Sequence, residues 1–263
     1  MQSKSRSLQS AVYEIHQDSL SDTASVEDAQ KNTALYIAAF DDPAAGLEST
    51  DRFTRFISSL AMRATAVIGV EHRLYYRQEY VALARATAQE AVERQTAEVD
   101  KVMLTLQTYW LTRRYSVGTR SFFGYIRAVN GLKIPEQLWD DPTVQALGHA
   151  ATDVTIITND ILSYKKELIE DGAPHNILTI LMHDPSIACS DLQQAIDYAS
   201  NLFDEALDRF NECRAELQDS PDLRRYADGI ADYFVGKLEW EMSSPRYNVF
   251  ESEEDRKNLV LKL

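Results

Sequence analysis

Between Tyr80 and Trp110 the chain runs without a glycine or a proline, and the same economy holds throughout, with 9 glycines and 7 prolines in 263 residues. Sandwiches and barrels need a turn every few residues, so this scarcity restricts the chain to long helices. The apolar pattern agrees. Phe53, Phe56, Ile57 and Leu60 recur at spacings of three and four, and Val67, Ile68, Leu74 and Tyr75 continue an apolar face. Residues 80–110 read as one helical stretch with a break near Thr96, and helical periods return at 121–130, 143–169, 173–183, 189–217 and 221–242. Asp141-Pro142 and Ser220-Pro221 have the form of an N-cap followed by proline at the first helical position. Asp171-Gly172 ends one helix, and Pro174 is expected to open the next. Neither strand alternation nor a repeat interrupts this pattern, so the expectation is a single all-α domain over residues 1–263.

A formal net charge of −14 excludes non-specific binding to a phosphate backbone. A small anion can still be held, provided metal ions or a local Arg and Lys cluster supply positive charge. Cys189 and Cys213 are the only cysteines and lack metal-ligand spacing, which predicts a reducing compartment. Met1 to Ser10 is polar, unlike a signal peptide, and no window has the roughly 18 apolar residues that a membrane span needs. The chain is therefore expected to be cytoplasmic, with no nucleic-acid partner.

The chemically informative stretch is Asn159-Asp160-Ile161-Leu162-Ser163-Tyr164-Lys165-Lys166-Glu167. Residues four apart lie on one helix face, so Asn159, Ser163 and Glu167 form a polar column. An amide oxygen, a hydroxyl and a carboxylate are ligands that suit a hard cation such as magnesium. The flanking Val154, Ile156, Ile157, Ile161 and Leu162 make the column costly to bury unless something satisfies it. Taken alone, the triad fits a solvated helix stripe equally well.

The wider context separates the two readings. This stretch resembles the NDxxSxxKE motif of fungal class I terpene synthases, and Asp171 to Thr179 is similar to the D-x-x-x-H-N-[IL]-x-T run that follows it there. The resemblance implies that Asn159, Ser163 and Glu167 chelate a magnesium ion and that Lys166 contacts a diphosphate. Upstream, Arg113-Arg114-Tyr115-Ser116-Val117-Gly118 is similar to the family's R-R-x-[TS]-x-G segment. That likeness implies Arg114 as diphosphate contact and Gly118 at a helix break whose carbonyl faces a forming cation. Arg246-Tyr247 resembles the family's RY pair, and Trp240 falls where relatives place a pocket aromatic, with Phe122 a further candidate for the wall.

The aspartate-rich motif of the family is not intact. Asp41-Asp42-Pro43 and Asp140-Asp141-Pro142 read as turns. Asp18-Ser19-Leu20-Ser21-Asp22 is the best match, implying Asp18 and Asp22 as metal ligands. The resemblance implies a helical bundle of the class I terpenoid synthase type, lacking the first two or three helices. It further implies up to three Mg2+ ions, farnesyl diphosphate as substrate, sesquiterpene cyclisation with release of diphosphate, and a homodimer over the uncovered surface. The alternatives are an impaired or non-catalytic relative that only binds prenyl diphosphate, and a helical scaffold for basic partners.

Overall fold

The computed structural model describes residues 25–70, 73–187, 189–217 and 220–261. Its helices are α1 (Val26–Asp41), α2 (Pro43–Leu47), α3 (Arg52–Val67), α4 (Arg73–Asp100), α5 (Leu106–Ser116), α6 (Thr119–Val129), α7 (Pro142–Glu170), α8 (Ile177–His183), α9 (Leu192–Glu216), α10 (Pro221–Ser243) and α11 (Glu253–Asn258). No strand forms among the described residues, so the all-α expectation holds. No described helix is long and apolar enough to cross a membrane.

Local chemistry sets the helix starts. Side chains of Ser25, Asp51, Thr105, Asn176, Asp191, Ser220 and Ser252 accept hydrogen bonds from the first-turn amides of their helices. Each such cap stabilises its helix by about 1 kcal/mol. Asp141 caps α7 ahead of Pro142 as expected, and Asp42, read as a turn carboxylate, caps α2 ahead of Pro43 in the same way.

Three boundaries differ from the sequence reading. The break after α4 falls at 101–105 rather than near Thr96, whose hydroxyl bonds back to the Val92 carbonyl at 2.9 Å and stays helical. The chain leaves α4 through Lys101 at φ 57°, and Thr105 and Thr108 form a reciprocal capping box that starts α5. Pro174 does not open a helix, because α8 begins only at Ile177 under the Asn176 cap. The face from Val67 to Tyr75 is also discontinuous. Helix α3 ends at Val67, and Val67 and Leu74 are 56% and 63% exposed.

Helix α7 is the hub, packed against α5, α6, α8, α9 and α10. Every residue from Ala150 to Ile157 is buried, the pattern of a helix surrounded by others. Its first half packs Val144, Leu147, Ala150 and Ala151 against Phe123, Phe210, Tyr226 and Ile230. Its second half packs Ile156, Ile157 and Tyr164 against Tyr109, Ile177, Leu178 and Leu181, with Ala195 and Ala199 letting α9 approach closely. A separate aromatic cluster joins α1, α3 and α4 through Tyr36, Ile57, Tyr76 and Tyr80.

Between α5 and α6 the helix breaks at Gly118, which adopts φ 74° and starts α6 without a side-chain cap. That left-handed conformation costs a side chain about 1–2 kcal/mol. Gly118→Ala is therefore expected to lower unfolding stability by about 1 kcal/mol or more. Gly236, inside α10 with open space where a Cβ would sit, should behave oppositely, and Gly236→Ala should stabilise by about 0.5–1 kcal/mol. Urea unfolding of the two variants measures the contrast, and equal effects would contradict it.

Candidate functional site

The polar column of α7 faces inward. Asn159 and Ser163 are buried at 2% exposure each, and Glu167 is half-buried one turn further on. The solvated-stripe alternative is thereby excluded for Asn159 and Ser163. Burial of an amide needs partners, and Asn159 has them on both sides. Its Oδ1 accepts from Arg113 Nη2 at 2.8 Å, and its Nδ2 donates to Glu241 Oε1 at 2.6 Å and to the Tyr247 hydroxyl at 3.3 Å. Helices α5, α7 and α10 and the segment after α10 thus meet at one side chain.

Arg113 is the centre of the charge arrangement. It reaches both Asn159 and Asp160, bonding Asp160 Oδ1 from Nη2 at 2.6 Å and from Nε at 3.2 Å, and it meets Glu90 at 3.3 Å. Burial works against its charge, but Asp160 and Glu90 outweigh that and hold the guanidinium proton more tightly than usual. Asp160 Oδ2 in turn accepts from the Ile177 amide at 2.7 Å and from the Tyr109 hydroxyl. Burial and the Asp160 charge push the Tyr109 phenol well above its ordinary range, so it stays protonated and donates. Glu90 is fully enclosed. Burial pushes its carboxyl up, yet His175, Arg113 and Arg94 hold it below the usual value.

The run after the column serves to fix it. Asn176 Nδ2 donates to the Asp160 carbonyl at 2.8 Å and to Glu167 Oε2 at 3.0 Å, while its Oδ1 caps α8 through Leu178. His175 Nε2 lies 2.7 Å from Glu93. Burial, then the Asp160 charge, pushes the Glu167 carboxyl up to about 7, against the pull of Arg113, Asn176 and Ser163. The donor set suits a divalent cation on its chemistry, as all three side chains present oxygen. Ser163 adds an observation. Its hydroxyl oxygen is buried without a well-formed hydrogen bond, although it lies close enough to Glu167 to lower that carboxyl's pKa. A buried oxygen left this way is open to a ligand. The residues fit the group.

The remaining expected residues divide. Tyr247 is buried against Asn159, and Trp240 meets its ring edge-on at 5.8 Å. Arg246, half-buried, takes Ser244 Oγ on its amide at 3.3 Å. Lys166 pairs with Glu170 at 2.9 Å along α7. Arg114 turns to Asp153, two helical turns before Asp160, at 2.8 Å and shares that carboxylate with Arg209. Gly118 forms the expected break, and its carbonyl accepts from Ser121 Oγ at 2.6 Å. Phe122 is buried and stacked on Tyr233 at 5.2 Å. Asp18 and Asp22 lie outside the described residues.

Arg113 packs against the column, and the motif resemblance did not single it out. A signal was present, since Tyr109, Arg113 and Val117 lie four apart and their flanking members are wholly buried. That stripe turns Arg113 towards α7 and leaves Arg114 about 100° round the helix. Glu241 and Glu90 owe their places to packing between distant helices, and no local spacing announces them.

The family model described as “Terpene synthase family 2, C-terminal metal binding” matches residues 11–209. The chain is similar to Sesquiterpene synthase 6 of Postia placenta, with 33% identity over 79% of this chain and 57% of that protein. It is similar as well to Sesquiterpene synthase 1 of the same fungus, with 32% identity over 62% of this chain and 47% of the relative. The cycloaraneosene synthase sdnA of Sordaria araneosa is 31% identical over 72% of this chain and 50% of its own length. The chain thus spans about half the length of the curated relatives it matches. Among solved structures, the SVS_A2 protein from ancestral sequence reconstruction superposes with a TM-score of 0.74 at 23% identity, covering 88% of this chain and 69% of that one. Germacradien-4-ol synthase from Streptomyces citricolor gives 0.66 at 21%, covering 82% and 69%. At such identities the structures show the shared fold, a class I terpene synthase helical bundle.

Two outcomes follow from the charge arrangement. Arg113→Met strands a buried Asp160 and should cost about 3–5 kcal/mol in guanidinium unfolding, whereas Arg114→Met removes a guanidinium that is 34% exposed and leaves Asp153 paired with Arg209, so it should cost about 1 kcal/mol or less. Equal costs would contradict the placement. Glu90 is depressed in the folded state, so its contribution is complete above the unfolded carboxylate range and is lost as pH falls through its lowered value. Glu90→Gln should accordingly flatten the acid side of the stability–pH curve below about pH 4.5. An unchanged acid limb would contradict that.

Proposed function

Since the chain belongs to terpene synthase family 2, we propose that it is a magnesium-dependent sesquiterpene cyclase that ionises farnesyl diphosphate and closes rings on the resulting carbocation. The observation that carries this reading is the inward-facing column of Asn159, Ser163 and Glu167 with Tyr247 at 3.3 Å from Asn159. It takes residues 1–263 as one catalytic domain, and the curated relatives named synthases lend the reaction class.

Asn159, Ser163 and Glu167 would hold Mg2+, with Asp18 and Asp22 proposed as the facing carboxylates. Bound magnesium, up to three ions, supplies positive charge that stabilises the departing diphosphate. The protein's own groups do the rest. Arg246, Tyr247 and Lys166 offer donors for phosphate oxygens, and a guanidinium forks onto two of them. Arg113 keeps the Asn159 amide oriented. Arg114, on the same helix end, is the second guanidinium available for the anion, provided that it leaves Asp153. Loss of diphosphate from the allylic carbon leaves an allyl cation, and an aromatic wall would shield it from water. Phe122 and Trp240 present aromatic faces, which attract cations without bonding to them. Phe40, Tyr76, Tyr80 and Tyr125 continue that aromatic character between α1, α4 and α6.

The second reading, a relative that binds prenyl diphosphate without turning it over, rests on Ser19 standing between Asp18 and Asp22 where the family carries a second acid. One experiment separates the two. Purified protein is incubated with MgCl2 and farnesyl diphosphate, and the volatiles are read by gas chromatography–mass spectrometry. A cyclic sesquiterpene is expected, lost by about 100-fold or more in Asn159→Ala. Binding of farnesyl diphosphate with no product from geranyl, farnesyl or geranylgeranyl diphosphate would favour the second reading and overturn the first.

A further inference from the structure

Opposite the α7 column stands a charged pair that neither the motifs nor the reaction accounts for. Glu241, on α10, is wholly buried at 0% exposure, and Lys237 one turn before it is 8% exposed. The Lys237 ammonium is ion-paired with Glu241 Oε1, the same oxygen that accepts from Asn159 Nδ2 at 2.6 Å. The other carboxylate oxygen, Oε2, is buried without a hydrogen-bond partner among the described residues, and Ser163 Oγ on the facing helix lacks a well-formed one. Two under-satisfied oxygens therefore lie on α7 and α10, one turn and one contact from Asn159. A buried carboxylate oxygen without a donor is costly, and a hard cation satisfies it better than any neutral group.

We propose that Glu241 is a further ligand of the divalent cation held by α7, adding a carboxylate from α10 to the amide and hydroxyl of Asn159 and Ser163. The inference rests on the reading of that column as a metal site. Lys237 is then the counter-charge of Glu241 when no metal is bound, since an ammonium is a compact point charge on a flexible stem that can withdraw. A carboxylate shared between an ammonium and a metal makes the two compete, so removing the lysine favours the metal. A purely structural ion pair between successive turns of α10 makes no such link.

The test is a Mn2+ titration of the whole purified chain, with unbound Mn2+ read by electron paramagnetic resonance. Glu241→Gln should raise the Mn2+ dissociation constant by about 10-fold or more, while Glu239→Gln, exposed on the same helix, leaves it unchanged. Ser163→Ala should weaken binding as well. If Ser163→Ala weakens Mn2+ binding and a folded Glu241→Gln does not, the proposal is overturned and the α7 metal site survives. If the unaltered chain shows no saturable Mn2+ binding, both are overturned together. Should Glu241→Gln fail to fold by circular dichroism, Lys237→Gln decides. Tighter Mn2+ binding supports a carboxylate released to the metal, and unchanged or weaker binding overturns it.

Discussion

The contact between Arg113 and Asp160 is the constraint on which the site depends. Two opposite charges are enclosed at a distance of 2.6 Å, and each satisfies further groups that would otherwise be stranded. Asp160 accepts from the Ile177 amide and the Tyr109 hydroxyl, and Arg113 donates to Glu90 and to the Asn159 amide oxygen. The pair is expensive to desolvate, so its value lies in the register it imposes on α5, α7 and α8 rather than in net stability. Once that register is set, Asn159 and Ser163 are buried rather than turned to bulk solvent.

Around this pair the helices divide the work. The hub α7 carries the polar column towards its C-terminal end and, before it, a buried stretch in which Val144, Leu147, Ala150 and Ala151 alternate with polar groups such as Asp153, the partner of Arg114. The break at Gly118 ends α5 just past the arginines and redirects the chain into α6, whose Phe122 stacks on Tyr233 of α10. The C-terminal segment closes the arrangement, as Tyr247, Val249 and Phe250 pack with Leu162 and Trp240 and bring Tyr247 to the column.

Much of this was legible in the residues. Gly and Pro scarcity with three-to-four spacing predicted the all-α class, and cap chemistry located the starts of α7 and α10, because these are local effects. The column at 159–167 was readable as a column because helix geometry alone places residues four apart together. Its inward orientation was not, since a polar stripe looks the same facing water or facing a partner helix. Which of Arg113 and Arg114 lies against the column depended on which helix face packs inward, and Tyr109 and Val117 already marked that face. The break at 101–105 was missed because Lys101 is an unusual residue for a positive φ and the capping box uses two threonines. Glu241 was invisible, as its neighbour Asn159 is far away in the chain.

Anomalous diffraction from crystals grown with MnCl2 and inorganic diphosphate tests the central claim most directly. The account predicts a manganese peak at about 2.0–2.3 Å from oxygens of Asn159, Ser163 and Glu167, with Tyr247 turned to the diphosphate. Manganese bound elsewhere, with the Asn159 amide still held between Arg113 and Glu241 as it is here, would contradict it.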